Sequence, residues 1–250
     1  MAEFAGKVVA IVGATTSIGS ATALLYAKRG ATLVLFDLAE EDLKKLASEC
    51  CTQQSETEIH LVAGDPSDPE IQSGMLKSTI ERFKRLDILI NAFDSNTPGS
   101  PIPGINLSEF DAAMEKNLRA VASMCLAAVH YLRETKGNIV NVSSAMGQKA
   151  IRNQLSYCVS KAGLDMLTKC LALDLAAHGI RVNSVNPCFA IPNKTFDSDS
   201  EEFLKAAASK VPMGRLAKVD EVSEAIVFLS SDKASFTTGQ LLGVDGGYGL

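Results

Sequence analysis

"VVAIVGATTSIG", residues Val8–Gly19, joins an unbroken apolar run to a loop with glycine at either end, after which a helix must begin. An apolar run without alternation reads as a strand covered on both faces, as the strands of a parallel sheet are. The helix that follows turns its free N–H groups and the positive end of its dipole toward whatever occupies the loop. Gly13 allows the tight turn, Gly19 allows close helix packing, and Ser17 between them can cap the helix or offer its hydroxyl to a phosphate oxygen. Strand, glycine loop and helix in that order suit a dinucleotide; an ordinary strand-to-helix turn is the alternative.

Working outward, short β-branched runs alternate with longer helical patterns, without low-complexity linker or internal repeat. Strands are expected at Lys7–Val12, Thr32–Phe36, Glu58–Val62, Leu86–Ile90, Asn138–Val142, Arg181–Val185 and Gln240–Val244. Helices are expected near Ile18–Arg29, Glu40–Glu49, Glu70–Phe83, Ser108–Arg133, Leu155–Ala177 and Val219–Leu229. The alternation predicts an α/β fold: one domain over residues 1–250, a doubly wound parallel sheet of about seven strands with helices on both faces, its ligand crevice at the carboxyl ends of the strands.

At 250 residues and 46% hydrophobic, the chain can bury one sizeable core. A net charge of −5 provides no basic stripe for nucleic acid or an anionic membrane. No apolar run approaches the roughly 20 residues needed to cross a bilayer, and no secretory pattern opens the sequence. The six cysteines lack CxxC or Cys/His spacing, so reduced thiols are expected and no metal site. The expectation is a soluble, intracellular protein, with the cytoplasm as its compartment.

Residues with chemistry gather at the predicted strand ends. Asp37 closes the second strand, where a carboxylate can accept from both hydroxyls of an adenosine ribose; a charge at the start of the next helix is the alternative. Asp65 in "GDPSDP" is either an acceptor for an adenine amino group or a turn residue. In "SYCVSK", Tyr157 and Lys161 stand four apart, on one face of a helix. A nearby ammonium favours a phenolate, which makes the pair an acid and base usable near neutral pH, although a surface pair shows the same spacing. "NVSSAMG" ends the fifth strand with Ser143 and Ser144, either of which can donate to a substrate oxygen. Asn117, inside "FDAAMEKNLRAV", suits a helix interior poorly and is either a hydrogen-bonding residue or solvated surface.

Together "VGATTSIG", "DILINAFD", Asn117, "IVNVSS", "YCVSK", "IRVNSVNP" and "TTGQLLGVDGGY" resemble, in order and spacing, the classical short-chain dehydrogenase/reductase family from Lys7 to the carboxyl end. The resemblance implies a Rossmann-type fold and an NAD(P)-dependent oxidoreductase moving a hydride between nicotinamide and a carbonyl or secondary alcohol. It makes Tyr157 the general acid and base, and Lys161 the group that lowers the Tyr157 pKa and holds the nicotinamide ribose. Ser144, by its spacing to Tyr157, would orient the substrate oxygen, and Asn117 would anchor a water-linked proton relay. Cofactor contacts would come from Gly13, Ser17, Ile18, Gly19, Asp37, Asp65, Asn91, Tyr157, Lys161 and Pro187. Asp37 without a neighbouring cation implies NAD(H) in preference to NADP(H).

The chain departs from the family pattern around the cofactor: Val12 and Ser17 in the loop, Pro66 after Asp65, Phe93 and Asp94 in place of Ala-Gly, Cys188 in place of glycine, and Pro192 in place of threonine. Modest cofactor affinity is therefore expected. A substrate loop is expected from about 188 to 212, with Phe93, Met146, Leu155, Phe189 and Phe196 offered as an apolar lining. Asp94 disfavours an anionic substrate, so a small neutral ketone or alcohol is expected. The alternatives are an enzyme like the 3-oxoacyl-carrier-protein reductases, or a binding or regulatory protein that keeps the fold without turnover. Apolar residues on two long helices (Met124, Cys125, Ala128, Val129; Leu164, Leu167, Leu171, Leu175), with "GQLLGVDGGYGL", imply a homotetramer, or a dimer.

Overall fold

Both faces of a central sheet are covered, and the side-chain alternation of the strands shows how. The computed structural model describes residues 2–94, 107–191 and 201–250. Its strands are β1 (Val8–Val12), β2 (Thr32–Asp37), β3 (Ile59–Ala63), β4 (Ile88–Asn91), β5 (Asn138–Val142), β6 (Arg181–Pro187), β7 (Ala190–Ile191), β8 (Ala217–Lys218) and β9 (Leu241–Val244). The main sheet has seven parallel strands in the order β3-β2-β1-β4-β5-β6-β9. In β1, Val9 and Ile11 face one layer while Val8, Ala10 and Val12 face the other, and all five are buried. That two-sided burial is why the run does not alternate with polar residues.

The helices are α1 (Ser17–Lys28), α2 (Glu40–Gln53), α3 (Pro69–Phe83), α4 (Leu107–Met114), α5 (Ala120–Thr135), α6 (Leu155–Leu175), α7 (Glu201–Ala208) and α8 (Val219–Ser230). Tyr26 of α1, Leu43 of α2 and Ile226 of α8 pack on one face of the sheet; Met75 of α3, Met124 of α5 and Leu171 of α6 pack on the other. No helix among the described residues is long and apolar enough to cross a membrane. The strand order reverses between β1 and β4, which sets the ligand crevice at their carboxyl ends.

Three expectations change. The single helix over Ser108–Arg133 is instead α4 and α5 joined through a π-helical turn at Glu115–Arg119, which takes up one extra residue around the buried Asn117. Second, α7 and the two-stranded parallel pair β7–β8 were not expected, and they lie within or beside the anticipated substrate loop. Third, the apolar residues assigned to subunit contacts are largely used inside this chain. Met124, Cys125, Ala128, Leu164, Leu171 and Leu175 are buried under the sheet, and Val129 and Leu167 pack against the same cluster. The apolar side chains exposed on these helices are others: Leu126, Leu155, Val159, Met166 and Leu173.

Candidate active site

The crevice is built from the exits of β1, β4, β5 and β6. Gly13, at the end of β1, has φ +77°, and a Cβ there would lie 2.5 Å from the Phe93 nitrogen, so the turn and the close passage of the β4 exit both require glycine. Gly19 is equally constrained, because a Cβ would stand 2.1 Å from the Gly13 carbonyl oxygen. The cap of α1 is Thr16, not Ser17: the Thr16 hydroxyl accepts from the Gly19 N–H at 3.0 Å and donates to Gly13 O at 2.8 Å. Ser17 is exposed at the first helical position. The backbone N–H groups of Ser17 and Ile18 make no hydrogen bond among the described residues, and both residues line the cavity. A helix start of this kind fits an anionic diphosphate.

Asp37 is buried, and its carboxylate turns toward the glycine loop. Oδ2 accepts from the Thr15 N–H at 2.8 Å and the Thr15 hydroxyl at 2.7 Å, while Oδ1 accepts from the Leu38 N–H at 2.8 Å. The role of helix charge is thereby set aside. Asp65 is exposed and accepts from the backbone and hydroxyl of Ser67, which hold its carboxyl below the usual carboxylate range. That is the geometry of a turn. The Asn91 side chain points into the core, donating to Asn141 Oδ1 at 2.9 Å and lying 3.3 Å from Cys125 Sγ.

The reacting end is brought together by β5 and α6. A cavity of about 250 Å³ is lined by Ser17, Ile18, Asp94, Ser144, Met146, Tyr157, Pro187, Cys188 and Phe189, among others. Lys161 lies one turn beyond Tyr157, wholly buried, with its ammonium 5.6 Å from the Tyr157 ring centre and donating to Val142 O at 3.1 Å. Ser144 caps a short turn through Met146 N–H at 3.1 Å, and its carbonyl oxygen accepts from Asn186. Asn117 donates to Ser160 Oγ at 3.2 Å, and Ser160 donates to the Tyr157 carbonyl oxygen at 2.9 Å. A surface role for Asn117 is thereby excluded.

Two features escaped the sequence reading. Asp94 accepts from the Tyr157 hydroxyl at 2.9 Å and pairs with the Lys161 ammonium at 3.2 Å. The Tyr157 pKa is consequently raised, not lowered: burial is the main cause, followed by the charge and hydrogen bond of Asp94, with Ser144 acting in the opposite sense. The second is a buried carboxylate one turn beyond Lys161: Asp165 accepts from Asn186 Nδ2 at 2.9 and 3.0 Å, and burial pushes its pKa up. This pair braces the β6 end against the Ser144 backbone. Its signal was present as Asp165 on the Tyr157–Lys161 face, but its partner is 21 residues away on strand β6.

Of the anticipated apolar lining, Met146 and Phe189 reach the cavity, Phe93 packs with the core beneath the sheet, and Leu155 is half-exposed outside it. Phe196 and Pro192 lie outside the described residues.

A family model described as enoyl-(acyl carrier protein) reductase matches residues 13–249. The chain belongs to the classical short-chain dehydrogenase/reductase family. This dehydrogenase/reductase is 34% identical over 243 residues to the 3-oxoacyl-[acyl-carrier-protein] reductase of Thermotoga maritima, covering 97% of each chain. It is 36% identical over 247 residues to the L-xylulose reductase of Homo sapiens, covering 98% of this chain and 97% of that one. Among solved structures, NAD+-bound xylitol dehydrogenase matches with a TM-score of 0.89 at 28% identity, over 98% of this chain and 100% of that one. The protein is an oxidoreductase of this family.

Proposed function

We propose that this oxidoreductase interconverts a small neutral ketone and its secondary alcohol using NAD(H). The observation that carries the reading is the convergence of Ser144 and Tyr157 on one cavity that the start of α1 also lines, with the buried Lys161 ammonium 5.6 Å from the Tyr157 ring centre. Ser17 and Ile18 would hold the diphosphate, Asp37 the adenosine ribose, and Tyr157 and Lys161 the nicotinamide ribose. When bound, the dinucleotide supplies or accepts the hydride.

Within this site the protein's own groups handle the proton. Tyr157 donates its hydroxyl proton to the carbonyl oxygen during reduction and takes it back during oxidation. Ser144 donates to the same oxygen and fixes its position. Lys161 holds positive charge beside the phenol, and Asn117 anchors the relay by which Tyr157 recovers a proton.

Preference for NAD(H) is supported by Asp37, whose negative charge opposes a ribose 2′-phosphate, while Leu38 and Ala39 bring no compensating cation. Assembly into a homotetramer, or a dimer, is supported by the outward stripe Leu155, Val159, Met166 and Leu173 on α6, at spacings of four and seven, with Leu126 on α5. All six cysteines are free thiols, as suits the reducing cytoplasm.

The experiment follows nicotinamide absorbance with NAD(H) and NADP(H) against ketones, diketones, sugars, acyl thioesters and alcohols. Turnover of a small ketone or alcohol supports the reading. Preference for acyl thioesters would favour a carrier-protein reductase, and cofactor binding without turnover would favour a non-catalytic role.

A further inference from the structure

The two donors that a ligand oxygen must reach are already engaged by a side chain of this chain. Tyr157 donates to Asp94 Oδ2 at 2.9 Å, and the Lys161 ammonium lies 3.2 Å from Asp94 Oδ1. The phenol has one proton to give. Any ligand oxygen that accepts it must first take it from Asp94, so the bridged state and the liganded state exclude each other.

The three partners differ in freedom to move. The Lys161 side chain is wholly buried and keeps its bond to Val142 O, and Tyr157 is fixed on α6 a turn away. Asp94 stands three residues beyond the end of β4, with its side chain 35% exposed. The carboxylate is therefore the group that leaves. It is also a chemical match for what it excludes: two oxygen acceptors spanning a phenol and an ammonium, as a vicinal pair of ribose hydroxyls would.

We propose that Asp94 is an internal occupant of the cofactor seat, whose carboxylate must leave Tyr157 and Lys161 before a nicotinamide dinucleotide can engage them, and that it thereby sets the affinity for that cofactor. The proposal rests on the nicotinamide reading above. When the competent state is only fractionally populated, apparent affinity falls by that fraction, so a bridge closed in about nine molecules of ten weakens binding about tenfold. Removing the carboxylate also leaves the Lys161 charge free to attract an anionic ligand, which acts in the same direction.

The test is isothermal titration of NADH and NADPH into the cofactor-free full chain, Asp94→Asn and Asp94→Ala, each checked for native circular dichroism, at low and high salt. The chain contains no tryptophan, so the fluorescence rise of bound NADH provides a second readout free of energy transfer from indole. Both variants are expected to bind NADH about five- to thirtyfold more tightly, Asp94→Ala at least as tightly as Asp94→Asn because the amide oxygen can still accept from Tyr157. The gain is expected to persist at high salt, where a long-range charge effect is screened. Unchanged or weaker binding in both variants, or a gain that vanishes with salt, overturns the proposal alone. Absence of binding to all three proteins at millimolar dinucleotide overturns the nicotinamide reading and this proposal with it.

Discussion

Thr15 and Asp37 are joined by two hydrogen bonds, from the Thr15 backbone at 2.8 Å and its hydroxyl at 2.7 Å, both to Asp37 Oδ2. With Leu38 N–H on Oδ1, three of about four acceptor sites of the carboxylate are occupied within the chain. The glycine loop and the β2 end are thus latched together, and the carboxylate has little spare acceptor capacity. Discrimination against NADP(H) is therefore expected to be mostly electrostatic, of order 1 kcal/mol or more, which is about tenfold. In Asp37→Ala, the ratio of kcat/KM for NADH over NADPH is expected to fall about tenfold on a common substrate. A parent protein that prefers NADPH would contradict the assignment.

Tyr157→Phe removes the phenolic proton at the cavity while leaving the ring packing of α6 in place. Turnover is expected to fall below a few per cent of the parent, with thermal unfolding within about 1 kcal/mol of it. Retained activity in stopped or continuous absorbance assays would move the proton donor elsewhere.

Burial is the main cause of the raised Tyr157 pKa and does not depend on Asp94, so the phenol stays protonated through the neutral range. Protonation of a carbonyl needs that form, whereas oxidation needs the phenolate. Reduction is therefore expected to vary little between pH 6 and 8, and alcohol oxidation to climb toward alkaline pH, by up to about tenfold per unit. Oxidation that is already level at neutral pH would show that the phenol ionises far more readily than this environment allows.

Glu221 caps α8 through the Lys218 N–H at 2.8 Å and forks onto Arg215 at 2.7 and 2.8 Å, contacts that lower its pKa to about 2. A carboxylate with a depressed folded pKa contributes stability above its unfolded value, lost as pH falls toward the folded one. Because the pair is exposed, Glu221→Gln is expected to cost about 1 kcal/mol or less at pH 7. Its unfolding midpoint in urea should approach that of the parent as pH falls from about 4.5 to about 2, and a gap that widens in acid would refute the linkage.

Leu173 on α6 is 80% exposed and Met166 is 58% exposed, on the stripe offered for assembly. Replacement of both by Asp is expected to lower the mass seen by light scattering while leaving circular dichroism unchanged. A parent chain that is monomeric at micromolar concentration would remove the basis for that stripe as an interface.

The sheet was legible because its strands are buried on both faces: Val8–Val12 announces itself by apolar content alone, and Asn138–Val142 by its β-branched Ile139, Val140 and Val142. Spacing alone placed Tyr157 and Lys161 on one helix face, while the choice of Ser144 over Ser143 came only with the family resemblance, because 13 residues of sequence separate Ser144 from Tyr157. Asp94 was visible as a departure from the family pattern that brings a negative charge to the site, but its bond to Tyr157 spans 63 residues of sequence, so no local pattern encodes it. Apolar periodicity marks a packing face without saying which partner covers it, and for Met124 and Leu171, read from sequence as subunit contacts, that partner is the chain's own sheet.

The π-helical turn at Glu115–Arg119 also governs winding phase. One surplus residue advances the helix by about 100° relative to a regular continuation. Deleting a single residue there would let the segment run straight while rotating everything after it, carrying Met124, Ala128 and Leu132 of α5 away from the sheet they now pack against. The placement of Asn117 beside Ser160 and the registration of half a core layer are thus settled by one offset, and a protein engineer cannot alter either alone.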